Sequence, residues 1–323
     1  MLTSARYFIA DVIHWLRTHP LVVLGAVVLL AGAAVGVLLV LDDGNDGSED
    51  APAPRVLVRE VEAPEEPAEL GFPAFATKNT TRVAGPDPIA DAGGVALAVD
   101  PSTGGVAGPD AVTIVDAADW PAGIAAASLV ANPVGAPILL SEDGELPELT
   151  SSALAALAPA GSPDTDGRQV FAIGPAANPD GFDTLEVEGE SAAEIAAEIE
   201  QVRTRLAGAP EHILVTTSDD PAIAMPAASW AARSGDPVLY VSDGGVPDAT
   251  REALERHSNV PVYVLGDRSA IPAAVVRELG RIGADVDRVG AEDPVENAIE
   301  FARYTAGSFG WNINDPGHGL VIA

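Results

Sequence analysis

Apolar residues in this chain fall in short, nearly continuous runs at 112–115, 137–140 and 170–173. Such runs mark strands buried on both faces. Between them the spacing becomes helical. After Ser191 the apolar positions are Ile195, Ile199, Val202 and Leu206, an i, i+4, i+7, i+11 stripe that stops at Gly208. Ser191 reads as an N-cap, and Glu194 completes a capping box. Asp87-Pro88 and Asp293-Pro294 each read as an N-cap followed by proline in the first helical turn. Ala-rich segments at about 121–131 and 221–232 predict helices that pack closely on a sheet. Strands alternating with helices predict an α/β fold of three-layer modules with mainly parallel sheets.

The pattern recurs. Ile114-Val115-Asp116-Ala117-Ala118-Asp119-Trp120-Pro121 matches Leu214-Val215-Thr216-Thr217-Ser218-Asp219-Asp220-Pro221 at an offset of 100 residues. The offset holds through Ala136-Pro137-Ile138-Leu139-Leu140 against Asp236-Pro237-Val238-Leu239-Tyr240, and at Pro147/Pro247 and Thr150/Thr250. It is 92 by Val170-Phe171-Ala172-Ile173-Gly174 and Val262-Tyr263-Val264-Leu265-Gly266, which places the length difference in the loop near 160–168. Arg82-Val83-Ala84-Gly85 and Arg288-Val289-Gly290-Ala291 mark the openings of a first and a third copy. The predicted organisation is repeat 1 at 79–182, repeat 2 at 183–283 and an incomplete repeat 3 at 284–323. Leu320-Val321-Ile322-Ala323 matches the first core strand of the other copies, so a chain truncated or cut inside its third module is expected.

The N-terminal part reads differently. Residues 21–41 carry no charge. At 1.5 Å per residue they would span roughly 31 Å, a bilayer core. Arg6 and Arg17 precede the run, whereas Asp42, Asp43, Asp46, Glu49 and Asp50 follow it. That asymmetry predicts a cytoplasmic segment at 1–19, an uncleaved transmembrane helix at 20–41 in contact with the lipid bilayer, and the bulk outside. Residues 42–78 are rich in Pro, Glu and Asp, as a stiff, self-repelling spacer would be.

Charge narrows the partners. Lys and Arg total 17 against 48 Asp and Glu, a net charge of −31. A surface of that sign repels nucleic acid. There is no Cys, which excludes disulfides and thiolate metal sites. His14, His19, His212, His257 and His318 show no metal-ligand spacing. No nucleophile elbow, phosphate loop or dinucleotide fingerprint occurs, so no catalytic residue, metal or cofactor is assigned.

Arg82-Val83-x-Gly85, Asp119-Trp120-Pro121-Ala122, Gly135-Ala136-Pro137-Ile138-Leu139-Leu140, Leu146-Pro147 and Ile173-Gly174, in that order, resemble the cell wall-binding repeats of Gram-positive surface proteins. The second copy keeps Asp219, Pro221-Ala222, Asp236-Pro237-Val238-Leu239 and Val264-Leu265-Gly266. The resemblance covers roughly 80–323. It implies three-layer α/β modules, usually in threes, that attach non-covalently to anionic wall polymers. Two departures stand out. The usual Arg-Tyr after the opening motif is replaced by Pro88-Ile89 and Pro294-Val295, and the chain beyond residue 41 is strongly acidic. Contact with an anionic polymer would then need bridging cations. Peptidoglycan or wall polysaccharide is the expected partner.

Four residues are candidates for ligand contact. Asp119 and Asp219 follow a strand and precede a helix in each copy. They either face the polymer or cap the helix, and the cap reading is favoured. Arg82 and Arg288 open the first and third copies and either pair with acids between modules or touch ligand. The expected function is non-catalytic attachment to the envelope. The alternative is a solute-binding receptor or enzyme using an α/β crevice, which requires convergent ionisable residues drawn from one copy only, or a binding module of a longer enzyme.

Overall fold

The computed structural model describes residues 85–100, 108–242, 244–282 and 285–313. All of these fall in the unit Pro64–Ala323. The predicted cytoplasmic segment, membrane helix and linker, Arg82, and the strand at 320–323 lie outside them. Among the described residues, no helix is long and apolar enough to cross a membrane.

In chain order the elements are α1 (Pro88–Val99), β1 (Val112–Asp116), α2 (Trp120–Ala126), β2 (Ile138–Ser141), α3 (Glu148–Leu157), β3 (Val170–Ile173) and β4 (Thr184–Val187). Then come α4 (Ala192–Ala207), β5 (Ile213–Thr217), α5 (Pro221–Ser234), β6 (Val238–Val241), α6 (Asp248–Arg256), β7 (Val262–Leu265), α7 (Ala273–Ile282), β8 (Val286–Val289) and α8 (Pro294–Arg303). The strands form two four-stranded parallel sheets with one topology, β2-β1-β3-β4 and β6-β5-β7-β8. The tandem α/β modules with parallel sheets are therefore present, and their central strands are buried along their whole length.

Local signals explain most boundaries. Asp87, Ser191 and Asp293 cap α1, α4 and α8, each side chain accepting from a first-turn amide. Glu194 does not close the expected box, because its carboxylate accepts from the amide of Glu190 at 2.8 Å, one residue before the cap. Thr150 and Thr250 recur for a physical reason. Each hydroxyl donates to a strand carbonyl, Leu140 O at 2.5 Å and Tyr240 O at 2.6 Å, and so ties α3 to β2 and α6 to β6. The eight extra residues of the first copy lie between α3 and β3, where a short 3₁₀ turn spans Pro163–Thr165. Helix α2 is shorter than expected and passes into a 3₁₀ turn at Ala127–Leu129. Pro133, which lacks a helical donor and disfavours helix at Asn132, stands where α5 has Arg233.

The strand register corrects the sequence alignment. Thr113 pairs with Ile138 and Leu214 pairs with Val238, so Thr113 corresponds to Leu214, an offset of 101 and not 100. The sheets are also staggered against the sequence copies. β4 follows position 183 yet completes the first sheet, and β8 follows position 284 yet completes the second. Each sheet thus takes its edge strand from the opening of the next copy.

α4 joins the two sheets. One continuous apolar cluster runs from Val115 and Phe171 in the first sheet through Ile195, Ile199 and Val202 to Val215 and Tyr240 in the second. Tyr240 donates its hydroxyl to Pro121 O at 2.7 Å and meets the Trp120 ring edge-on. Burial raises the Tyr240 phenol well above its ordinary value, with Asp119 adding to the effect. Arg203 on α4 donates to Ser128 O and Asn132 O of the first module. At the ends of the array, α1 exposes Val95 and Val99, and α8 exposes Val295 and Ile299. Counting from the caps, Val95, Val295 and Ile299 correspond to the buried Ile199, Ala193 and Ala197 of α4.

Candidate functional site

Parallel sheets leave a crevice at the carboxyl ends of their strands, where loops diverge to opposite faces. Both modules have one in the same place. In the first, Asp119, Gly174, Pro175 and the segment Glu188–Ile195 line an open groove of about 790 Å³. In the second, Thr217, Asp219, Asp220, Ile223, Ser269, Ala270 and Glu292 line a smaller one of about 250 Å³.

Gly174 lines the first groove, and Gly266 stands at the equivalent strand end, behind Ile223 of the second. Gly174 has φ +60° and Gly266 has φ +125°, backbone that only glycine adopts without strain. A Cβ on Gly174 would lie 3.1 Å from Ile195 Cδ1 and 3.4 Å from Asp119 Oδ2. One on Gly266 would lie 3.0 Å from Ile223 Cγ2. The recurring glycines are thus required by the turn, and a side chain at either would crowd an isoleucine of the groove wall.

Asp119 caps α2, its Oδ1 accepting from the Ala122 amide at 3.1 Å. Its counterpart is Asp220 and not Asp219. Asp220 caps α5 and accepts from the Ala222 amide at 2.9 Å. Asp219 instead exchanges bonds with Thr217, whose hydroxyl accepts from the Asp219 amide at 3.1 Å and donates to its carboxylate at 3.4 Å. The proline misled the alignment, because it is the second helical residue in α2 and the first in α5. Asp220→Ala is expected to cost roughly 1 kcal/mol of stability, and Asp219→Ala clearly less. Urea denaturation of the two variants distinguishes them, and equal losses would remove the distinction.

Arg288, on β8, makes no ion pair with an acid among the described residues. Its guanidinium donates to the backbone carbonyls of Gly266, Asp267 and Ile271, the last at 2.7 Å, and so braces the loop after β7. Burial lowers its pKa, partly offset by Asp267. In the first sheet the same position on β4 is Glu186, so the brace is absent there. Hence the structure brings Asp119 and Asp219 to equivalent grooves, assigns Arg288 to the fold, and leaves Arg82 outside the described residues.

Both grooves carry acids, with Asp119, Glu188, Glu190 and Glu194 in one and Asp219, Asp220 and Glu292 in the other. No group of three or more potential metal ligands occurs among the described residues. The grooves therefore offer carboxylates, the hydroxyls of Ser191, Thr217 and Ser269, and backbone groups to a hydrogen-bonding ligand.

The model of the cell wall binding domain 2 (CWB2) family matches residues 187–276. The match to the cell wall-binding repeat is thus confined to these 90 residues. That repeat starts at the last residue of β4 and extends into α7, so it includes α4, β5, α5, β6, α6 and β7. Its copy frame thus begins with the helix that joins the modules. Cwp6 from Clostridium difficile shares this fold, with a TM-score of 0.58 and 19% identity over 71% of this chain. Cwp8 from the same organism gives 0.56 and 20% over 69%. The chain spans 38% of each of those two structures. No curated protein matches it in sequence.

A third depression, of about 360 Å³, lies at the opposite ends of the second sheet's strands. His212, Trp230, Arg233, Asp236 and Ser308 are among its lining residues. Sequence reasoning missed it. The one available signal was that Asp236 breaks the repeat, standing where the first copy has Ala136.

Proposed function

We propose that the chain is a membrane-anchored, extracytoplasmic cell wall-binding protein that attaches to or organises the envelope without chemical turnover by its paired grooves. The carrying observation is the family repeat at 187–276, together with an equivalent groove in the preceding module. The uncharged run at 21–41 and the charge asymmetry around it support a single-pass anchor with the N-terminus cytoplasmic. The acidic spacer at 42–78 would then hold the modules off the lipid. The ligand is peptidoglycan or a wall polysaccharide, with cations bridging where the polymer is anionic.

The test is sedimentation of the purified chain with isolated cell-wall sacculi, with and without Ca²⁺ and at graded salt. Most of the protein is expected in the pellet. If binding is cation-bridged, chelator should release it from anionic walls. Recovery in the supernatant under every condition would end the wall-binding reading.

A further inference from the structure

At the third depression the structure brings together an aspartate, a histidine and a serine that lie far apart in sequence. His212 precedes β5, Asp236 precedes β6, and Ser308 follows α8. Asp236 Oδ2 lies 3.1 Å from His212 Nδ1, and His212 Nε2 lies 3.0 Å from Ser308 Oγ. Because an ionised carboxylate only accepts, Nδ1 carries the proton in this pairing. Nε2 is then free to accept from the serine hydroxyl.

The support behind the three residues is specific. Asp236 is 3% exposed, and it also accepts from the His212 backbone amide at 3.1 Å and from Trp230 Nε1 at 2.8 Å. Four contacts, counting Nδ1 and the Ser234 hydroxyl that accepts from the Asp236 amide, fix its orientation. The imidazole packs at an angle against the stacked pair of Tyr263 and Phe309, at centroid distances of 5.8 and 5.4 Å. Ser308 itself is exposed, on a turn closed by reciprocal Ala306–Phe309 backbone bonds with Gly307 at φ +62°. Its neighbour Phe309 is fully buried and anchors that turn.

The fold does not need this arrangement. In the first module the positions of His212 and Asp236 are held by Ala111 and Ala136, both fully buried. The same strand ends therefore pack well with two methyl groups. The polar set belongs to one module, as a site grafted on a repeat would and a repeat-wide structural device would not.

We propose that Ser308, His212 and Asp236 form a nucleophile–base–orienter relay that hydrolyses a short-chain acyl ester of a polar alcohol. The geometry fits the general requirement of a base within hydrogen-bond reach of the nucleophile and itself held by a third group. The cavity volume suits a small acyl group, and its largely polar lining suits a hydroxylated alcohol. Ser308 Oγ attacks the ester carbonyl carbon and its proton passes to His212 Nε2. The bond to the alcohol oxygen breaks as Nε2 returns that proton to it, leaving an acyl ester on Ser308. Water then attacks the acyl carbon and gives a proton to Nε2. Ser308 Oγ leaves with that proton, and the carboxylic acid is released. Ser308 and His212 are the catalytic residues, and Asp236 is the positioning residue.

The test exposes the full chain to a fluorophosphonate probe and, separately, to p-nitrophenyl acetate. One phosphonyl group per chain is expected on the peptide containing Ser308. Ser308→Ala should abolish that adduct and lower ester hydrolysis at least about 100-fold with unchanged circular dichroism. His212→Asn keeps a donor towards Asp236 but removes the base, so it should slow labelling by a similar factor. A folded chain that takes no probe at Ser308, or one labelled equally fast as His212→Asn, would overturn the relay. Sedimentation of Ser308→Ala with sacculi keeps this result separate from wall binding, which that variant should retain.

Discussion

Replacing Phe309 by alanine is expected to remove about 4 kcal/mol of stability, in the range for truncating a fully buried aromatic side chain. Phe309 is 0% exposed and stacks on Tyr263 at 3.6 Å with the rings 2° from parallel. It also meets Trp230 at 4.8 Å and His212 at 5.4 Å. Removing it leaves a cavity among rings that are themselves held by strands and helices and so cannot collapse freely. The segment 304–313 returns to α8 through Ile313 N donating to Ala302 O, but Phe309 is its deepest attachment. The variant should therefore lose amide-exchange protection in this segment before the rest of the unit opens. Urea denaturation with exchange mass spectrometry reads both effects. A stability loss below about 1 kcal/mol would mean the turn carrying Ser308 is not held by this side chain.

Glu200→Ala should cost about 3 kcal/mol by leaving buried partners unpaired. Glu200 lies on α4 and is 1% exposed. Its carboxylate accepts from Arg256 at 2.6 Å, from the Nε2 side of His257 at 2.6 Å and from the Thr204 hydroxyl at 2.9 Å. A carboxylate at that depth is tolerable only because all three partners are present. The estimate takes the low end of the range because Arg256 is 36% exposed and can turn to water. Arg251 and Glu278 supply the comparison. Both are 33% exposed, so Arg251→Ala should cost under about 1 kcal/mol. Equal midpoints for Glu200→Ala and Arg251→Ala in urea would show that α4 is not pinned to the second module by this carboxylate.

Much of this protein is legible along the chain, and the reasons are local. Caps at Asp87, Ser191 and Asp293 announce three helices, because a short polar side chain before an apolar stripe satisfies free amides. Gly208 ends α4 where expected. Pro147 and Thr150, repeated as Pro247 and Thr250, mark the start of α3 and α6. The grooves were legible only as glycines after strands. Their acidic walls come from loops distant in sequence, and the proline sits one residue earlier in α5 than in α2, which brings Asp219 into line with Asp119 in place of Asp220.

The amino-acid sequence by itself determined the α/β alternation, the recurrence of the module and the resemblance to wall-binding repeats, since each rests on neighbouring residues or on similarity between copies. Tertiary structure decided the rest. Strands buried on both faces have no polar alternation to mark their register, so a slip of one residue between β1 and β5 left no trace in the pattern. Only strand pairing shows that β4 and β8 complete the sheets before them. Likewise, 96 residues separate His212 from Ser308, and no local propensity encodes a contact across that distance. It exists because Phe309 finds its place among the rings beside β5 and β7.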